Sequence, residues 1–441
     1  MRPGVAPGSR PDDAVGTNRV ARALGLPDLN GRGRLVAAAV IDTLGEGLFL
    51  PMALFFFTVS TPLLISRIGL TMSLATILAF AASPVLGALT DRSGPQRAVV
   101  LSNLLTAAGY AFYPAVSTYP GIFGCVLVVM VADRLYYASW PTLLTAIARK
   151  GELDAWFALS QALAKGSFGM GALLGSLLIG DGSRGPLVVL IYLDVTTCLV
   201  AAVLTASIRL RPSSGPARSS SAASPWNEVR RDRAFRRIVA SQLLLAFAWA
   251  VPPVFLPLYL VRYLGLPPWQ ATLAFGVNCM LIFAGQTWVT RMVQGFRRTR
   301  AIVAGAVLFD AALLVFAAAS ATSAQWAGVI VLTGMVVFTA GEMLCTPSFT
   351  ALAAAAAPSH LRGQYMSIFG LGGGVGFGLG PGLVGTLYEV SPYAALAGLG
   401  ACVAAGGALL QRSERLLPSA AVQLSYDPDD RHGRDHAPGA P

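Results

Sequence analysis

An all-α integral membrane protein, with twelve transmembrane helices arranged as two six-helix pseudo-repeat bundles, is the fold class this sequence predicts. Three observations carry that expectation. The apolar residues fall into runs of about twenty or more, the length a helix needs to cross hydrocarbon. The arginines collect in alternate short connections between those runs, as topology-setting charges do. The later runs also echo the earlier ones at an offset of roughly two hundred residues, the mark of a repeat-built chain. At 55% hydrophobic and only 12% charged, the chain has too little charge to cover a soluble surface.

Taken in order, residues 1–34 carry Pro, Gly, Asp and Arg without an apolar core, so they read as a disordered tail and not a cleavable signal. The first six spans are expected at 35–60, 70–90, 97–117, 121–147, 155–179 and 186–207, setting a first bundle over 35–208. Residues 209–236 form a linker. It holds Pro212-Ser213-Ser214-Gly215-Pro216 and Ser219-Ser220-Ser221, then the basic Arg230-Arg231-Asp232-Arg233 of an amphipathic helix. Six more spans follow at 237–262, 270–293, 300–320, 325–350, 364–388 and 392–411, a second bundle over 237–411. Residues 412–441 are polar and Pro-containing, a second disordered tail.

The basic residues set the orientation. With the N-terminus inside, Arg92, Arg97, Arg149, Lys150, Arg291, Arg297, Arg298, Arg362 and the arginines of 230–237 all fall on the cytoplasmic face, and the outer face keeps Arg67, Arg184 and Arg262. Both termini are then cytoplasmic, with the chain crossing the plasma (inner) membrane. The net charge of +11 is spread over these loops and forms no continuous patch, which argues against nucleic acid as a partner. Cys125, Cys198, Cys279, Cys345 and Cys402 all lie in apolar spans without a CxxC or neighbouring His, so they read as packing residues. Enzyme chemistry has no motif to rest on: there is no Gly-x-Ser-x-Gly and no P-loop lysine. His360, His432 and His436 lie in loops or the tail. No cofactor or metal is expected.

The two halves echo one another locally. Pro141-Thr142-Leu143-Leu144 in span four answers Pro347-Ser348-Phe349-Thr350 in span ten, and Gly171 to Ser176 in span five answers Gly380 to Gly385 in span eleven. Matching interruptions of this kind mark repeat-built transporters. Between spans two and three, Gly87, Leu89, Asp91, Arg92, Gly94 and Arg97 are spaced as G-x-L-x-D-R-x-G-x-x-R, in a turn too charged to enter lipid. That stretch resembles the loop between the second and third helices of the major facilitator superfamily. Gly171 to Ser176 resembles the family's antiporter motif G-P-x-x-G-G, with Ala172 and Ser176 replacing its proline and last glycine. Gly341-Glu342-Met343-Leu344 with Pro347, and Leu361-Arg362-Gly363-Gln364-Tyr365, are further points of similarity. The resemblance covers about 35–411 and is greatest to the twelve-span drug:proton antiporters.

The resemblance implies a gating loop of Gly87, Asp91, Arg92, Gly94 and Arg97. Its acid would dock on the cytoplasmic end of span eleven, near Gly363, Gln364 and Tyr365, when the pocket faces outward. The equivalent stretch of the second half, Thr290 to Arg298, keeps the bases but lacks the acid. Gly171 and Gly175 are expected to let a neighbouring backbone approach closely. Spans one, four, seven and ten would line a central cavity.

Charges inside the spans are the sharpest functional clue, because each costs about 2.5–3.5 kcal/mol at mid-membrane on insertion scales. Asp42 and Glu46 stand four apart on one face of span one. Asp133 and Arg134 sit in span four, Lys165 in span five, Asp194 in span six, Asp310 in span nine and Glu342 in span ten. Asp42, Glu46, Asp133, Arg134, Lys165 and Glu342 are expected to form the proton-coupling and substrate cavity; structural ion pairs are the competing account. Paired carboxylates suit coupling because one of two can hold a proton at neutral pH. Phe49, Phe55, Phe56, Phe57, Tyr136, Tyr137, Trp140, Phe247 and Trp249 are either pocket or core. Lacking a P-loop, the chain is left with an ion gradient as its energy source. The expectation is a monomeric, proton-coupled exporter of a small amphipathic or cationic molecule. A proton-symport permease and a non-transporting sensor or scaffold are the alternatives.

Overall fold

The computed structural model describes residues 32–147, 153–208, 231–293, 296–358, 361–417 and 422. Most of the two expected tails, and residues 209–230 of the expected linker, lie outside them. Among the described residues ten helices are long and apolar enough to cross a membrane, and eleven if one bent pair is a single span. That bent pair is span two, whose helix Ile65–Ala81 turns by 55° into Ser83–Ser93. Span five, Leu153–Leu178, has the length, 26 residues, but is not among those ten helices. Lys165, Gln161 and its glycines and serines explain why.

Proline decides where the helices break. Span one runs Gly33–Phe49, tightens through Leu50–Met52 at Pro51, and resumes as Ala53–Ser60. Span seven begins as Arg233–Leu245 and then departs from α geometry through Ala246–Ala250, Val251–Phe255 and Leu258–Tyr263, around Pro252, Pro253 and Pro257. Pro141, Pro347 and Pro381 lie inside spans four (Tyr119–Ile147), ten (Ala324–Ala356) and eleven (Arg362–Val390).

Two boundaries differ from the sequence expectation. The stretch 87–97 is mostly not a loop: helix continues to Ser93, Gly94 alone turns the chain at φ 83°, and Pro95 starts span three. Gly past a helix end and Pro at a helix start are each favoured there, so one residue suffices. Span seven begins within the expected linker, at Arg233, because Asp232 caps it: its Oδ1 accepts from the Phe235 N–H at 3.0 Å. Phe235 and Ile238 face inward while Arg233, Arg236 and Arg237 stay exposed.

The spans pack in a pattern that repeats at an offset of six. Span one contacts five and six (Arg184–Ala206), as seven contacts eleven and twelve (Pro392–Ser413). Span three (Pro95–Ala115) contacts four and six, as nine (Arg298–Ala319) contacts ten and twelve. Span two packs on span four, as span eight (Trp269–Met292) packs on span ten. Two large contacts then join the sets: span two with eleven, and span five with eight. Small residues permit both. The Gly382 N–H donates to Ser73 Oγ at 2.8 Å, and Gly169 lies against Cys279 and Met280.

Candidate functional site

Lys165, on span five, crosses to the second set of helices. Its Nζ lies 3.7 Å from Glu342 Oε1 on span ten, with the lysine side chain 47% exposed and the glutamate 13%. Asn278 on span eight donates from Nδ2 to Glu342 Oε2 at 3.1 Å and to Thr339 Oγ1 at 3.0 Å. Glu342 is therefore held from two spans, and one of them belongs to the other half. Lone polar residues such as Asn278 and Thr339 in apolar runs are a legible signal that the sequence reading passed over.

Arg134 pairs with its neighbour Asp133. Its guanidinium also lies 4.3 Å from the Phe80 ring centroid and 4.9 Å from that of Tyr137. Phe80 in turn fills the space that a side chain at Gly374 of span eleven would need. Asp42 and Glu46 are half-buried, and among the described residues neither has a hydrogen-bond or ion-pair partner. Glu46 lies within electrostatic range of Asp42, Asp133, Asp194 and Lys165. The six expected cavity residues thus fall into a cross-half pair, a local pair and two unpaired acids. Asp194, a span-six acid not placed in the expected cavity set, lies against Gly45 of span one and within electrostatic range of Asp42; Asp310 stands apart, facing Gly400 of span twelve.

Gly171 and Gly175 sit against the backbone of span one, the first at Leu44 and the second at Leu48. Asp91, Arg92 and Arg97 are exposed, and Asp91 has no partner among the described residues; Gly87 has open space around it. Of the expected docking point, the side chains of Gly363 and Gln364 lie outside those described, while Tyr365 is buried against Phe235. In the second half, Arg297 pairs with Glu414 just beyond span twelve at 2.9 Å, so that turn is tied by an acid from elsewhere.

At the opposite end the two sets are closed on each other. The Arg262 side chain donates to the Thr58 carbonyl, and the Ser66 N–H donates to Glu389 Oε1 at 2.9 Å. Inside that closure an apolar cavity of about 60 Å³, lined by Leu54, Met72, Tyr110, Val254 and Phe377, has room for about two waters and not for a drug-sized molecule. Phe49, Phe55, Phe56 and Phe57 are fully buried, with Phe49 and Phe57 packed edge-on or tilted against Tyr113, and so belong to the core. Tyr137, by contrast, is exposed beside Arg134, and Tyr136 stacks on Trp140 at 5.4 Å.

Many apolar spans, internal repetition of their packing and charged groups held between the two sets define a multi-pass membrane transporter. The chain belongs to the Major Facilitator Superfamily, whose family model matches residues 35–381. Among solved structures it is similar to the nucleoside transporter NupG, at TM-score 0.71 and 14% identity over 87% of this chain and 100% of that one. It is also similar to a D-xylose-proton symporter, at TM-score 0.67 and 13% identity over 88% and 98%. A bacterial homologue of the iron transporter ferroportin in an inward-facing state matches at TM-score 0.68 and 13% identity over 87% and 98%. At such identities these likenesses concern the fold. No curated relative was found by sequence.

Proposed function

We propose that the protein is a proton-coupled exporter of a small amphipathic or cationic compound, acting as a monomer by alternating access. Its twelve spans, in two six-helix bundles, would cross the plasma (inner) membrane with both termini cytoplasmic, placing the Asp91 turn inside. The observation that carries this reading is the pair Asp42 and Glu46: half-buried carboxyls on one face of span one, without a cationic partner among the described residues. A bare acid in that position has two natural partners, a proton or the cation of a substrate, and their competition is antiport. The closed Arg262 and Glu389 end supports a state open toward the Asp91 face.

Uptake by proton symport is the second reading, left open by the degraded span-five motif with Ala172 and Ser176. One assay separates the two: accumulation of a panel of dyes and antibiotics in expressing cells, with and without a protonophore. Export predicts low accumulation that rises when the gradient collapses; import predicts the opposite. Asp42→Asn, Glu46→Gln and Glu342→Gln are each expected to abolish the protonophore-sensitive component while the protein remains folded in the membrane. If all three variants transport like the parent, the coupling assignment is wrong.

A further inference from the structure

Asp194 is the most deeply buried acid among the described residues, 1% exposed in the middle of span six. The groups around it come from three spans. Span one presents Asp42 and Glu46, both within electrostatic range of it. Span three presents Tyr110 and, through the turn that ends it, Tyr113. Span six itself adds Cys198, whose thiol donates to Oδ1 at 3.7 Å. No ion pair reaches Asp194 among the described residues, and its other oxygen, Oδ2, is buried without a hydrogen-bond partner.

Span one is shaped to admit this acid. A Cβ on Gly45 would fall 1.7 Å from Thr197 Oγ1 and 2.8 Å from Asp194 Oδ1. The missing side chain lets the carboxyl lie against the segment between Asp42 and Glu46. A metal ion does not suit the place: a thiol is a poor ligand for hard cations, and no His, Cys, Asp or Glu cluster among the described residues could hold one. A proton needs no such room. It also turns the carboxyl with the orphaned Oδ2 into a hydrogen-bond donor, in electrostatic range of two acids that have no donor among the described residues.

We propose that Asp194 is a proton-binding site buried between spans one, three and six, which exchanges its proton with the outside through the span-one carboxyls Asp42 and Glu46. The transfer is balanced: the neutral Asp194 acid gives its proton to a span-one carboxylate, leaving one proton and one negative charge on the pair. Solvent reaches the half-buried Asp42 and Glu46 but not Asp194, so the span-one acids are the relay and Asp194 the store. The role assigned to the proton rests on the coupling reading above, whereas its presence on Asp194 does not.

Infrared spectroscopy of the purified full chain in liposomes at pH 7 tests the site without any transport substrate. The parent is expected to show the carbonyl band of a protonated carboxylic acid, and Asp194→Asn to lose it. A band undiminished in Asp194→Asn overturns the proposal. If that variant does not insert, Asp194→Glu replaces it, with a shifted band expected and an unshifted one overturning the site. Transfer of the liposomes to D2O reads the relay: Asp42→Asn combined with Glu46→Gln is expected to slow the isotope shift of the band at least ~10-fold. An unchanged rate overturns the relay, and a purely structural Asp194 would not respond. A negative flux assay with the band in place would instead count against the coupling reading alone.

Discussion

Gly171→Leu is expected to remove most of the folded protein from the membrane. A Cβ at residue 171 would lie 2.0 Å from the Leu44 carbonyl oxygen, and the reciprocal Gly47 would meet the Phe168 carbonyl at 2.1 Å. These are backbone atoms, so no rotamer change relieves the clash; spans one and five must separate. Overpacking of a rigid core typically costs about 1–3 kcal/mol, and a collision between two helix backbones belongs at or above the top of that range. Gly124→Leu is the control, because nothing lies within 4 Å of the position a Cβ would take. Detergent-solubilised fluorescent fusions, compared by gel filtration and melting, read the result. Equal monodisperse yield and melting temperature for the two variants would refute this packing role.

Lys165→Ala is expected to slow transport at least ~10-fold, or about 1.4 kcal/mol of barrier. The alanine leaves Glu342 with only the Asn278 amide among the described residues. Lys165 is 47% exposed, so the static attraction across 3.7 Å is screened and adds little to stability. The larger consequence is mechanical. The pair ties span five to span ten, and rocking of two halves about a central site has to lengthen or break it. The exchanged pair Lys165→Glu with Glu342→Lys is expected to recover part of the loss, while Glu342→Lys alone sets two cations against each other. Flux into proteoliposomes for the full cycle gives the coupling between the residues. Single variants at parental rates, or a double variant no better than the singles, would remove the pair from the mechanism.

The local rules served well along the chain and poorly across it. Pro51, Pro252, Pro253 and Pro257 mark breaks because each lacks an N–H for the helix, although Pro141, Pro347 and Pro381 lie inside continuous helices. Apolar run length located the spans, although span five shows the limit. A helix that packs on other helices along two faces tolerates a lysine and many small residues, so its composition weakens the signal of a span. The bend at Ala82 was not legible either, since span two was expected as one continuous run over 70–90. At the Asp91 stretch the residues were legible but not the conformation: one glycine with positive φ replaces the expected loop.

By itself the sequence determined that this chain crosses the membrane many times, that its halves echo one another, and that acids and bases stand inside the spans. Those are properties of composition and near-neighbour spacing. Only the tertiary structure decided which charges meet. It joined Lys165 to Glu342 across 177 positions, gave Asn278 to the same acid, left Asp42 and Glu46 without partners among the described residues and set Asp194 against Gly45 between them. A buried charge takes its partner from the rotation and depth of helices far away in sequence. Those are set by the small residues through which the helices touch, as at Gly45, Gly47 and Gly171, and no local pattern encodes them.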